Sequence, residues 1–267
     1  MDVRDKYRRL EWHSEHWEYV RLYRSLRGKA AGTWRRQMLS TSKIIIGDSF
    51  TFPLEGKAAR ILDEYLTDVE ADAADAHLAL RTEPEAVAAC KAIGVEVART
   101  ATRNQDHHQS SKALVAEVSG HARAFARDNG VSVETNPQRR GVWANAHGFH
   151  VTARNLDGAL PDLLNPVAIW EIKEYWGITA GGSKMSDAVY ECQLVGRELR
   201  EFSDRTGTKI VHVVFLDGRD QWNKRRSDLV RFIDLFHQGL IDHLIIGRQT
   251  TVQWPELLRR FRLERSC

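Results

Sequence analysis

Apolar residues recur at helical spacing from the start of the chain. Val3, Tyr7, Leu10, Trp17, Val20 and Leu26 predict a helix over residues 3–27, which hold no Pro or Gly, and Gly28 is its stop. Residues 28–37 read as a loop and 43–47 as a short apolar run. Residues 55–80 read as one or two Ala-rich helices. Residues 83–94 form a further helix, with Pro84 suited to its first turn. No internal repeat or low-complexity linker interrupts the chain.

The pattern changes near residue 110. Leu114, Val118, Ala122 and Phe125 make the apolar stripe of a helix that Ser110 and Ser111 begin and Asn129-Gly130 ends. Residues 130–136 and 143–154 read as strands. Two more follow at 159–165 and 167–176, separated by a turn at Asn165-Pro166. A helix begun by Ser186 covers 186–202. Residues 208–218 are a β-branched, nearly continuous apolar run, as expected of a strand covered on both faces. A helix at 227–239, a strand at 243–247 and a helix at 254–263 complete the chain. This order predicts an α/β (α+β) fold with a central mixed β-sheet flanked by helices, over residues 106–267. Residues 1–105 are expected to form a mainly helical N-terminal region for DNA contact or dimerisation.

Composition narrows the class. The chain has 267 residues, 42% hydrophobic and 28% charged, which suits a globular protein. Its net charge is only +3, but the charge is unevenly spread. Residues 1–43 hold 11 Lys/Arg against 5 Asp/Glu, and residues 44–106 hold 6 against 12. A basic arm beside an acidic segment suits either a nucleic-acid contact or an internal pairing. Cys90, Cys192 and Cys267 form no CxxC pair, which argues against a disulfide framework or a zinc knuckle. No apolar run approaches membrane-spanning length and no signal-peptide core is present, so a cytoplasmic protein without membrane contact is expected.

The candidate chemistry lies in residues 158–177. Val167, Ile169, Glu171, Lys173 and Tyr175 share one side of a strand. A hairpin at Asn165-Pro166 would fold Asp162 back beside that strand, so that Asp162 and Glu171 converge with Lys173 one side chain further on. Two carboxylates sharing a small space repel each other unless a cation sits between them. Oxygen ligands with room for water suit Mg²⁺ or Mn²⁺. A neighbouring lysine can orient or help deprotonate a water, giving a metal-assisted site for phosphodiester hydrolysis. The alternative is a plain Glu171–Lys173 salt bridge on a solvated strand face.

Pro161-Asp162, followed after eight intervening residues by Glu171-Ile172-Lys173, resembles the signature of the PD-(D/E)xK, or restriction-endonuclease-like, nuclease superfamily. The element order over roughly 110–247 is similar to that family's core. An acid-x-Lys also occurs at Glu55-Gly56-Lys57, so placement on a hairpin carries the resemblance rather than the bare motif. The resemblance implies that Asp162 and Glu171 ligate the metal and that Lys173 acts on the attacking water. It also implies a further acid from the preceding helix, where Glu117 fits by position, the alternative being a Glu117–His121 surface pair. Glu191 lies on the inward edge of the helix after Lys173. Gln193 matches in type a glutamine that some branches carry there, but it falls away from the core side.

Ser183 and Lys184, in a Gly-rich stretch, and Arg219, Lys224, Arg225 and Arg226, in a basic loop with Trp222, are candidate DNA contacts; solvated connections are the alternative. His107-His108 and His147/His150 lack the partners of a zinc site. The expected activity is Mg²⁺-dependent cleavage of duplex DNA by a type II restriction endonuclease, with no small-molecule cofactor beyond the metal. A homodimer is expected, because symmetric cleavage needs two sites. The alternatives are a structure-selective repair nuclease, a non-specific defence nuclease, and a non-catalytic nucleic-acid-binding module.

Overall fold

A computed structural model of the chain describes residues 3–26, 28–46, 50–98, 111–177 and 182–263. It divides into two compact units, residues 1–74 with 237–239, and residues 75–236 with 240–267. The first unit is mainly helical. It holds α1 (Val3–Arg8), α2 (His16–Ser25), α3 (Lys29–Thr41), the hairpin β1 (Lys43–Ile46) and β2 (Phe50–Pro53), and most of α4 (Gly56–Ala79). Its core is aromatic: Tyr65 takes edge-on contacts from Tyr7 at 4.9 Å, Trp17 at 5.4 Å and His237 at 5.6 Å between ring centres.

Two expectations for this region change, and a third is narrowed. The helix over 3–27 breaks in two around a turn where Glu11 takes a left-handed φ of 60°, and the Trp17 indole N–H donates to the Glu11 carbonyl. The expected loop at 28–37 is α3, because Trp34 and Met38, one helical turn apart, are both buried. The stretch 55–80, expected as one or two helices, is one continuous helix, α4 (Gly56–Ala79).

The second unit contains α5 (Glu83–Ala92), α6 (Ala113–Asn129), β3 (Glu134–Arg139), β4 (Val142–Asn145), β5 (Gly148–Val151), β6 (Leu156–Leu160) and β7 (Ala168–Glu174). It continues with α7 (Gly182–Thr206), β8 (Val211–Asp217), α8 (Arg219–Lys224), α9 (Arg226–His237), β9 (His243–Ile246) and α10 (Thr250–Leu263). Five strands form one mixed sheet in the order β3-β6-β7-β8-β9. The first three pair antiparallel and the last three parallel, so the expected mixed sheet with flanking helices is present. β4 and β5 form a separate two-stranded hairpin.

Alternation along the central strand β7 builds two cores. Ala168 and Trp170 face α6 and α10, packing with Leu114, Val118, Phe215 and Trp254. Ile169 faces α7, packing with Val195, Leu199 and Phe202. The neighbouring strand must yield to Trp170: a Cβ at Gly158 would lie 1.8 Å from its ring, so only glycine fits. Among the described residues, no helix is long and apolar enough to cross a membrane.

Candidate active site

The pairing of β6 with β7 decides which acid meets Glu171. Leu160 pairs with Ala168, Ala159 with Ile169 and Gly158 with Trp170. The next step along this ladder sets Asp157 level with Glu171, on the α7 face. The Ile172 backbone N–H donates to Asp157 Oδ2 at 2.8 Å. Glu171 Oε2 lies 2.8 Å from Lys173 Nζ and accepts a long contact from the Cys192 thiol of α7 at 3.4 Å. Glu171 Oε1 lies 3.5 Å from Nε2 of the fully buried His212 on β8, whose Nδ1 is 2.9 Å from the Leu240 carbonyl. Lys173 Nζ also lies 2.9 Å from Glu191 Oε2 on α7, and the other Glu191 oxygen is 2.7 Å from Arg154. Two turns further along α7, Glu198 accepts the Ala153 N–H at 3.0 and 3.1 Å.

Acids outnumber bases in this cluster. Burial alone would raise the Glu171 carboxyl, but Lys173 and His212 hold it well below the usual range. Burial works against the Lys173 charge, yet Glu171 and Glu191 keep it an ammonium. Burial raises the Asp157 carboxyl against the Ile172 N–H and the Lys173 charge, and Glu171 and Glu191 add to that rise. Burial also pushes Glu198 up to about 7. Four carboxylates thus share one buried lysine, with His212 beside Glu171 and the exposed Arg154 and Arg140 beside Glu191 and Glu198; Glu171 Oε1 is buried without a well-aligned hydrogen bond. Among the described residues, no three His, Cys, Asp or Glu side chains converge as placed to hold a metal ion. Lys173 stands between Glu171 and Glu191. The donor set nevertheless fits a hard divalent cation: Asp157 and Glu171 are oxygen ligands on facing strands, and Mg²⁺ needs only one or two carboxylates because it keeps several waters.

Several expected site residues lie elsewhere. Asp162 does not meet Glu171. It sits in the loop that Val167 closes by donating to the Leu160 carbonyl, and its Oδ1 accepts the Leu164 N–H at 2.6 Å. The strand expected at 159–165 stops at Leu160, because Pro161 has no N–H to continue the ladder. Glu117 is fully buried on the opposite face of the sheet. There it pairs with Arg81 at 2.8 Å and accepts from Thr251 at 2.7 Å, so it cannot join Glu171 and is not a surface partner for His121.

The basic stretch 217–228 is helical rather than a loop, forming α8 and the start of α9, with Trp222 buried. Arg219 is committed to Glu85 at 2.6 Å, and Arg225 to Asp228 at 2.7 Å and Ser186 at 2.6 Å. Lys224 and Arg226 are exposed, as are Ser183 and Lys184 in the first turn of α7. His150 stacks between Trp143 at 5.7 Å and Phe202 at 5.5 Å, and His147 lies between β4 and β5. His107-His108 and Gly181 fall outside the described residues.

Sequence reasoning brought Glu171 and Lys173 together correctly and placed Glu191 at the site's edge. It missed Asp157, Arg154, Glu198 and His212. One signal pointed to Asp157: a proline inside a candidate strand ends the ladder, so the paired acid had to precede Pro161. His212 carried no comparable signal, since a parallel neighbour's register is set by the crossover.

The model of a family described as a domain of unknown function (DUF7687) matches residues 67–261. No curated protein and no solved structure matches the chain.

Proposed function

The chain belongs to the DUF7687 family, a label that names no activity, and we propose from the site that it is a metal-dependent DNA endonuclease of the PD-(D/E)xK superfamily. The observation that carries the reading is the facing pair Asp157 and Glu171 on adjacent strands, with Lys173 Nζ 2.8 Å from the glutamate. The acid-x-Lys half of the motif stays as read from the sequence, and the first acid becomes Asp157 in place of Asp162.

In this reading Asp157 and Glu171 hold Mg²⁺ or Mn²⁺ by carboxylate oxygens. The bound ion would supply Lewis-acid polarisation of the phosphate and a water of lowered pKa. Lys173 donates from Nζ to the attacking water or to a phosphate oxygen; as an ammonium it positions rather than abstracts. Lys173 Nζ and Cys192 Sγ hold Glu171 Oε2, and His212 Nε2 faces Oε1 at 3.5 Å, so the carboxylate is oriented before substrate arrives. Duplex cleavage takes one such site per strand, supplied by a homodimer.

Incubation of the purified protein with plasmid DNA and Mg²⁺ should give metal-dependent cleavage that EDTA stops. Discrete fragments indicate a restriction enzyme, whereas smears indicate a non-specific nuclease. Lys173→Ala should abolish cutting while leaving DNA binding. Absence of cleavage with Mg²⁺ and Mn²⁺ across duplex, branched and single-stranded DNA would sink the reading.

A further inference from the structure

The acid-rich site cannot by itself attract a polyanion. Asp157, Glu171, Glu191 and Glu198 outnumber Lys173, and a DNA strand entering such a field is repelled unless positive charge flanks the opening. Three arginines stand at one edge of it. Arg139 ends the edge strand β3 and pairs in register with Leu156, the residue before Asp157. Arg140 follows it, and Arg154 lies just ahead of β6. All three are exposed.

Two of these arginines touch the site's field. Arg154 lies 2.7 Å from Glu191 Oε1, whose other oxygen lies against Lys173. Arg140 is near enough to Glu198 to offset part of the rise in its pKa. Glu191 and Glu198 are two turns apart on α7, so the two arginines meet the acidic helix at points about 10 Å apart. Arg154 is about half exposed and Glu191 partly so, so exchanging Glu191 for another anion costs little. A guanidinium fork suits a phosphate as well as a carboxylate. Two of the basic residues expected to contact DNA, Arg219 and Arg225, are already tied to acids of their own.

We propose that Arg139, Arg140 and Arg154 form the surface that holds the phosphodiester backbone of DNA against the Asp157–Glu171–Lys173 site, with Arg154 leaving Glu191 for a phosphate as the strand enters. The proposal rests on the nuclease reading of that site and supplies its substrate-binding surface. The contacts are to backbone phosphates, so they set position and affinity rather than base preference.

The test is fluorescence anisotropy of a labelled duplex, in EDTA and in Ca²⁺, over a salt series from about 50 to 200 mM. Arg139→Ala/Arg140→Ala should weaken binding and lower the slope of log affinity against log salt by about two; Arg154→Ala should lower it by about one. Arg139→Lys/Arg140→Lys should restore most of the slope. Lys224→Ala/Arg226→Ala should leave it unchanged. Thermal midpoints should match the wild type, since the altered side chains are exposed. A slope that falls for the Lys224 and Arg226 variant, but not for the strip variants, overturns the proposal. So does a wild type that binds neither duplex nor single-stranded DNA. If the wild type cuts DNA while the strip variants keep the full salt slope, the surface is wrong and the nuclease reading stands. If the wild type never cuts but binding depends on the strip, the surface stands and the catalytic reading falls.

Discussion

The two faces of the sheet each hold a buried charge cluster, and the two are built differently. On the α6 face, Arg81 is nearly fully buried and bridges Glu117 at 2.8 Å and Asp217 at 2.7 Å. The remaining Asp217 capacity goes to the backbone N–H groups of Arg81 and Gly218. Gly218 is required there: its φ is 114°, and a Cβ would lie 2.0 Å from the Tyr175 carbonyl. Glu117 takes a hydroxyl from Thr251. Glu117 Oε2 and the two Arg81 Nη atoms are, like Glu171 Oε1, buried without a well-aligned hydrogen bond, but both acids lie within 3 Å of one buried guanidinium, and the trio ties together the segment before α5, the helix α6 and the end of β8. On the α7 face, four acids share one buried lysine, and the rest of the positive charge sits on exposed arginines at the edge of the cluster. A closed network of buried charge locks structure. An uncompensated one stores electrostatic free energy that a cation or a phosphate can release.

The largest effect should separate two aspartates that the sequence cannot tell apart by type. Asp157→Asn should reduce Mg²⁺-dependent cleavage on the order of 10³-fold or more, whereas Asp162→Asn should leave it within a few-fold of wild type. Cleavage rates on plasmid DNA measure both. The reverse ranking would return the site to the Pro-Asp step and break the α7-face assignment.

Next in size is the closed cluster. Arg81→Ala leaves two buried acids without their partner and should cost about 3–5 kcal/mol of stability, read by urea unfolding. In protein that stays folded, metal affinity should be unchanged. A variant that unfolds normally but loses metal binding would mean that the two faces are not separate.

The smallest effect concerns Glu174, the β7 residue facing α6. Burial pushes its carboxyl up to about 7, although the Leu114 N–H and the Trp176 indole N–H work the other way. An acid whose pKa is raised on folding binds protons more tightly folded than unfolded between pH 4.5 and 7. Its stabilising contribution is therefore full below about pH 4.5 and lost as pH rises through about 7. Glu174→Gln should remove about 1–2 kcal/mol of that decline between pH 5 and 8, measured as the difference in unfolding free energy. An unchanged slope would mean that Glu174 is already ionised at pH 5 and that the α6 face has more counter-charge than its geometry shows.

How much of this was legible beforehand depended on the range of the interaction. The stripe of Leu114, Val118 and Ala122 marked α6, and the Asn129-Gly130 stop matches its end, where Gly130 takes φ +63°. The nearly continuous run at 208–218 marked β8 as a strand covered on both faces. Glu171 and Lys173 were legible as a pair because they are two residues apart in one strand. Failures came where a local signal had competing outcomes. The stop at Gly28 suggested a loop over 28–37, yet burial of Trp34 and Met38 makes that segment α3. Arg219 and Arg225 looked free to meet DNA, but acids distant in the chain or on the next helical turn had claimed them. Glu117 had the right helix and the wrong face.

Periodicity and side-chain type thus determined, from the sequence by itself, that the second half of the chain is a mixed sheet with flanking helices and that one strand presents an acid and a lysine together. Both are properties of a few consecutive residues, set by backbone geometry and by which side chains water rejects. Which aspartate stands opposite Glu171, which acids are neutralised by Arg81, and which arginines remain at the opening were decided only by the tertiary structure. Those outcomes follow from strand register and from competition among distant charged groups for the same partners, and no local pattern encodes the winner.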